Sequence, residues 1–256
     1  MNLFWVIHVK RIKQTLVILV ALIFALGVTM LEREAIHVFS NEENPQAIYK
    51  VDTKEKIIAL TFDISWGEER ASNILDVLQE KEVKQATFFL SAPWANAHPE
   101  IVKRIVDAGY EIGSHGYRHV KYSRLEPDEI RNELRKAHRI LKEVSGQEPR
   151  VLRLPDGDFD KRVLKIAGDL QYTVIQWGTD SQDWLNPGVD QITQNVLQNT
   201  HPGDIILFHA SDTAKQTAQA LPSIIDQLRQ QGYQFSTVSS LIAGVKTESP
   251  TPTQSK

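Results

Sequence analysis

Short apolar runs alternate with helix-patterned segments along most of this chain, and that alternation restricts its fold more than any other feature. Ile57-Ile58-Ala59-Leu60-Thr61-Phe62 and Ala86-Thr87-Phe88-Phe89-Leu90 read as strands buried on both faces, with a helical pattern from Ala71 to Glu80 between them. Pro99 opens a further helix at its favoured first position; Ile101, Val102, Ile105 and Val106 form its inner stripe and Gly109 stops it. Glu111-Ile112-Gly113 is a third strand. Ile130, Leu134, Ala137, Leu141 and Val144 then recur at three- and four-residue steps until Gly146. Val151-Leu152-Arg153, Tyr172 to Trp177, Asp204 to Phe208 and Gln234 to Val238 bring the strands to seven. Helices over 162–170, 190–198 and 218–230 separate them. The pattern predicts a parallel sheet covered by helices, open or closed into a barrel.

Polar residues fall in register with that pattern. Asp63, His115, His119, Arg153, Asp180, Asp183 and His209 all lie at or just beyond the carboxyl end of an expected strand. In an α/β barrel this is the end that carries active sites. His115 and His119 are four residues apart, a spacing that lets both imidazoles turn toward one divalent cation, zinc being well suited to them. With no cysteine in the chain, disulfides, thiolate metal sites and cysteine nucleophiles are excluded. A formal net charge of -3 gives no reason to expect nucleic acid as a partner. Neither a nucleophile elbow nor a phosphate loop is present.

The amino terminus has a different character. Lys10, Arg11 and Lys13 precede an uncharged, mostly apolar run from Thr15 to Leu31, which Glu32, Arg33 and Glu34 end. Residues 1–13 are therefore expected in the cytoplasm, 14–31 as a transmembrane signal-anchor and the remainder outside. A cleaved signal peptide, with Ala25-Leu26-Gly27 as its cleavage region, is the rival reading. Residues 32–50 read as a polar spacer, 51–246 as the folded domain and 247–256, rich in Thr, Ser and Pro, as a disordered tail.

Five motifs occur in order: Thr61-Phe62-Asp63-Ile64-Ser65-Trp66-Gly67, Ser114 to His119, Arg153-Leu154-Pro155, Asp180-Ser181-Gln182-Asp183-Trp184, and Leu207-Phe208-His209. Across about Ile48 to Val245 the chain thereby resembles the polysaccharide deacetylase (NodB-homology) family of carbohydrate esterases. The first motif is most similar to that of the spore-associated PdaB-type branch. The resemblance implies a distorted (β/α) barrel of seven or eight parallel strands, a divalent metal, and removal of N-acetyl groups from glycans such as peptidoglycan. On this reading His115 and His119 hold the metal, which polarises the acetyl carbonyl and acidifies a bound water. Asp63 takes the proton as general base and Arg153 pairs with it. His209 is the general acid, with Asp183 fixing its tautomer and raising its pKa. Trp184 and Leu207 wall a sugar-binding groove that Pro155 and Asp156 also line.

Two positions depart from the family. Ile64 stands where the resemblance implies a second Asp, the third metal ligand, and Asp156 stands where a tyrosine is common. Asp156 or Asp158 could supply the missing carboxylate. Two functions follow: a membrane-anchored, extracytoplasmic N-deacetylase of peptidoglycan amino sugars tied to spore formation, or a catalytically weak or inactive glycan-binding relative.

Overall fold

The computed structural model describes residues 45–245; the expected membrane anchor and the tail beyond Val245 lie outside them. Among the described residues no helix is long and apolar enough to cross a membrane. The strands are β1 (Ile57–Ile64), β2 (Thr87–Leu90), β3 (Glu111–Ser114), β4 (Val151–Leu152), β5 (Thr173–Val174), β6 (Thr179–Asp180), β7 (Ile205–His209) and β8 (Gln234–Ser236). The helices are α1 (Glu69–Glu80), α2 (Ala92–Ala97), α3 (Pro99–Asp107), α4 (Pro127–Ser145), α5 (Lys161–Asp169), α6 (Val189–Asn199), α7 (Thr217–Gln230) and α8 (Val238–Val245). All strand pairs are parallel, in the order β5-β4-β3-β2-β1-β7-β6, and β8 pairs the amino-terminal half of β1. The sheet is a curled half-barrel with β5 and β6 at its ends.

β1 shows how the sheet sorts its residues. Ile58, Leu60, Phe62 and Ile64 are fully buried beneath α1, α3 and α7 with Ile74, Leu78, Ile105, Ile224 and Leu228. Each such side chain contributes about 1.5–3 kcal/mol through burial. Phe62 stacks between Phe88 and Phe208 at centroid distances of 4.9 and 5.6 Å. Because strand side chains alternate, Thr61 and Asp63 emerge on the opposite, concave face. A second core, holding Ile130, Leu134, Leu152, Val163, Ile166 and Val174, joins α4 and α5 to the β4 side.

The helix signals operate as expected. Pro127 starts α4, Glu126 and Glu129 form a reciprocal capping box, and Gly146 closes the helix in the left-handed conformation. Two strand expectations are corrected. Only Thr173 and Val174 of the expected Tyr172–Trp177 strand form β5, because the Gln176 carbonyl accepts a hydrogen bond from Arg153 and Ile175 bridges to Ile48. The chain re-enters the sheet as β6, which makes eight strands. β8 stops at Ser236 because Thr237 Oγ1 accepts from the Ser240 amide and turns the chain into α8. Ile48 and Lys50, expected in the spacer, bridge to Ile175 and Asp204.

Candidate active site

Two buried ion pairs stand on neighbouring central strands. Asp63 at the end of β1 accepts from Arg153 Nη1 at 2.9 Å, and the same nitrogen donates to Thr61 Oγ1 at 2.7 Å. Arg153 is completely buried, packs over the Phe89 ring at 4.3 Å, and donates from Nη2 to the Gln176 carbonyl at 2.9 Å. Burial pulls its pKa down and Asp63 opposes that shift. A buried guanidinium needs this many partners, since an unpaired charge in such surroundings costs several kcal/mol.

His209 ends β7 and lies directly opposite Asp63 in the strand register. Its Nδ1 is 2.8 Å from Asp183 Oδ1, and its backbone amide donates to Asp183 Oδ2 at 2.8 Å. Thr217 donates to Oδ2 as well, at 2.7 Å, so the fully buried Asp183 is held from three sides. A carboxylate can only accept, which places a proton on Nδ1 and turns Nε2 to the groove. Burial alone would lower the His209 pKa; the hydrogen bond and charge of Asp183, reinforced by Asp63 and Asp180, outweigh it and raise the value. Asp180 accepts from the Gln182 amide at 2.8 Å, and burial pushes its own pKa up.

The imidazole pair occupies the loop after β3. His115 Nδ1 donates to the Arg153 carbonyl at 2.8 Å, which leaves Nε2 with the lone pair a metal requires. Burial lowers its pKa, Asp63 opposing and His119 adding to the shift. The His115 and His119 ring centroids are 5.8 Å apart. Two imidazoles sharing a tetrahedral zinc would have centroids about 5 Å apart, so the pair fits a common cation. Gly116 permits the turn between them: its φ is +77° and a Cβ there would lie 2.4 Å from the Tyr122 hydroxyl. Glu133 of α4 fixes the far side of the loop, accepting from the Arg118 amide at 2.9 Å and its Nε at 2.8 Å.

Ile64 is buried in the outer core and supplies nothing to the imidazoles. Asp156 stands 3.9 Å from His119 Nε2. Asp158 is occupied by the Ser123 amide and hydroxyl at 2.8 and 3.0 Å. Trp184 is exposed at the rim, whereas Leu207 and Pro155 are buried, so Leu207 is floor rather than the expected wall. Trp66 packs edge-on against His119 at 5.5 Å and is exposed. Glu133 and Thr217 lie outside the five motifs, and Thr61, inside the first, carries no expected role there. His98, which lies outside the sequence motifs, stands with Glu68 and Glu100; among the described residues this is the set of three donors whose ligand atoms lie within 4.8 Å of one another.

Residues 50–175 match the polysaccharide deacetylase family model. A peptidoglycan-N-acetylglucosamine deacetylase of Bacillus cereus is 39% identical over 72% of this chain and 67% of its own length. The chain belongs to the polysaccharide deacetylase family. An uncharacterized Bacillus subtilis protein, YlxY, is 33% identical over 77% of this chain, which spans 61% of that relative's length. Among solved structures, a CE4 family pseudoenzyme from Bacillus anthracis is 36% identical, with a TM-score of 0.73 over 77% of this chain and 69% of its own. A mutant of that pseudoenzyme has restored enzymatic activity.

Proposed function

We propose that the protein is a metal-dependent N-deacetylase acting on peptidoglycan amino sugars at the extracytoplasmic side of a membrane. The observation that carries this reading is the facing arrangement of Asp63 and His209 on adjacent strands, each oriented by its own buried partner. Paired residues of neighbouring strands are about 5 Å apart, which leaves an acetamide within reach of both.

In the proposed reaction Asp63 takes a proton from water as its oxygen bonds to the acetyl carbon. Arg153 keeps the carboxylate aimed at that water. The resulting tetrahedral centre collapses as the C–N bond breaks, and His209 Nε2 gives its proton to the leaving amine. Acetate and a free amino sugar result. Asp183 stabilises the imidazolium before that transfer and keeps Nδ1 protonated afterwards. A divalent cation on His115 and His119, zinc being expected, would supply carbonyl polarisation and a more acidic water.

The exposed Trp184 and Trp66 support a sugar-binding groove. Ser65-Trp66-Gly67 supports placement in the PdaB-type branch and a role in the spore wall. The basic flank and apolar run of residues 10–31 support a single-pass anchor. A second reading, a glycan-binding protein with little or no turnover, is favoured by Ile64 and by the likeness to a pseudoenzyme.

Amine release from N-acetylated peptidoglycan decides between them. The deacetylase reading expects release that chelator and Asp63→Asn both abolish. Glycan binding without release under added zinc, cobalt or manganese would establish the second.

A further inference from the structure

We propose that Glu68, His98 and Glu100 hold a divalent transition-metal ion, zinc being the expected one, at a site separate from the imidazole pair. This site does not depend on the deacetylase reading.

Three segments bring the donors together. Glu68 precedes α1 in the loop that leaves β1, His98 is the single residue between α2 and α3, and Glu100 lies in the first turn of α3. His98 Nδ1 is 3.4 Å from Glu68 Oε2 and 3.7 Å from Glu100 Oε1. One ligand atom from each residue lies within 4.8 Å of the other two. Ligand atoms on a tetrahedral zinc are about 3.4 Å apart, so both imidazole contacts are already close to that spacing. The glutamates can close the remainder. Their side chains are 68% and 65% exposed, whereas that of His98 is 23% exposed and packs against the Trp94 ring at a centroid distance of 5.3 Å.

The chemistry of the set favours a cation over hydrogen bonding alone. An imidazole nitrogen carries at most one proton, so Nδ1 can donate well to only one of the two carboxylates that converge on it. Among the described residues these carboxylates make no hydrogen bond, and their ion pairs are to His98 alone. Neighbouring cationic side chains are engaged elsewhere: Arg104 pairs with Asp76 at 2.6 Å and Arg70 with Glu69 at 3.3 Å. One imidazole and two carboxylates form a donor set suited to zinc, with a fourth position left for water. Glu68 and Glu100 also line a cleft of about 620 Å³ with Glu69, Ser72, Ile101 and Arg104, which gives an ion its entry path.

The backbone around the donors is held in advance. Asp212 accepts from the Glu68 amide at 3.2 Å and from the Arg70 amide at 2.9 Å, and Trp94 Nε1 donates to the Gly67 carbonyl. An ion here would tie the loop after β1 to the α2–α3 junction. The same loop carries Trp66, which packs against His119.

Zinc titration of the full-length chain, in competition with a chromophoric chelator, tests the site. His119→Ala is the starting variant, because it breaks the imidazole pair. It should still bind one zinc ion and melt at a higher temperature with zinc than without. Losing an outer-shell partner already costs about 10–100-fold in metal affinity, so adding Glu100→Gln or His98→Ala should weaken this binding at least tenfold and remove the zinc-dependent rise. Glu100→Gln changes an exposed side chain and should leave the metal-free melting temperature as it was. Glu69→Gln, beside the set but outside it, should leave the affinity unaltered.

A His119→Ala chain that takes up no zinc would overturn the proposal, and so would undiminished affinity after Glu100→Gln and His98→Ala. Equal weakening by Glu69→Gln would overturn it as well, by reducing the site to diffuse negative charge.

Discussion

The two halves of the site are built to different standards. On the β1–β7 side, Asp63, Arg153, Asp183 and His209 are locked by hydrogen bonds of 2.7–2.9 Å, and Arg153 and Asp183 are wholly buried. On the loop side, His115 is fixed but His119 is partly exposed, and among the described residues it meets only ring edges and a distant carboxylate. Proton-transfer groups must be held in advance, because orientation is most of what they contribute. A metal ligand can be left looser, since the cation organises its donors when it binds. Under the proposed reading, the difference teaches that an intact acid–base pair says little about whether the imidazole half binds a metal.

The largest effect that sharpens this contrast is expected from Arg153→Ala. It strands Asp63 without its ion-pair partner and empties the space over Phe89, at a cost of about 3–5 kcal/mol in denaturant unfolding. The corresponding His119→Ala should change unfolding in chelator by much less, because that ring is partly exposed. Equal losses in the two variants would erase the distinction.

Ile64→Asp comes next. The fully buried side chain points away from Asp63 and into the outer core, so the carboxyl group should cost about 3 kcal/mol when metal is withheld. Zinc should not restore the loss. A zinc-dependent rise in melting temperature above that of wild type would mean that the end of β1 can twist the new carboxylate toward the imidazoles.

Much of this contrast was legible in the sequence. Strand ends and helix caps depend on local patterns, so the alternation exposed the sheet and placed Asp63, Arg153 and His209 at one end of it. The eighth strand was not legible. β6 is only Thr179 and Asp180, and its separation from β5 depends on Arg153 taking the Gln176 carbonyl, a contact 23 residues away. Glu133 did leave a trace. It stands at an inward position between Ile130 and Leu134 on α4, where a charge in an apolar stripe asks for a partner, but nothing local named Arg118. The pairing of Asp156 with His119 joins two loops and leaves no pattern in either.

Asp183→Asn probes the rigid half at smaller cost. Removing the carboxylate weakens its bonds to the His209 ring, the His209 amide and Thr217, for about 1–3 kcal/mol. Its sharper readout is titration. His209 has a raised pKa, so its protonated form persists above the usual histidine range of about 6.5. The stability it contributes is present below the unfolded value and is lost as pH rises through the folded one. In Asp183→Asn the NMR midpoint of His209 should move down, and any loss of turnover at high pH should begin at lower pH. An unmoved midpoint would assign the shift to Asp63 and Asp180 instead.

The smallest effect is expected from Trp184→Ala, and it tests whether the two halves serve one groove. Trp184 is 51% exposed and follows Asp183 in a short 3₁₀ turn, so truncation should leave the His209–Asp183 pair and the melting temperature as they are. An aromatic face lost from a sugar contributes about 0.5–1.5 kcal/mol, roughly a two- to tenfold weaker affinity for N-acetylglucosamine oligomers. Trp66→Ala should weaken the same ligand by a similar factor, because that ring stands beside His119 on the imidazole half. If only one tryptophan matters, the sugar contacts one half alone, and the rigid and loose parts of the site do not act on the same ligand.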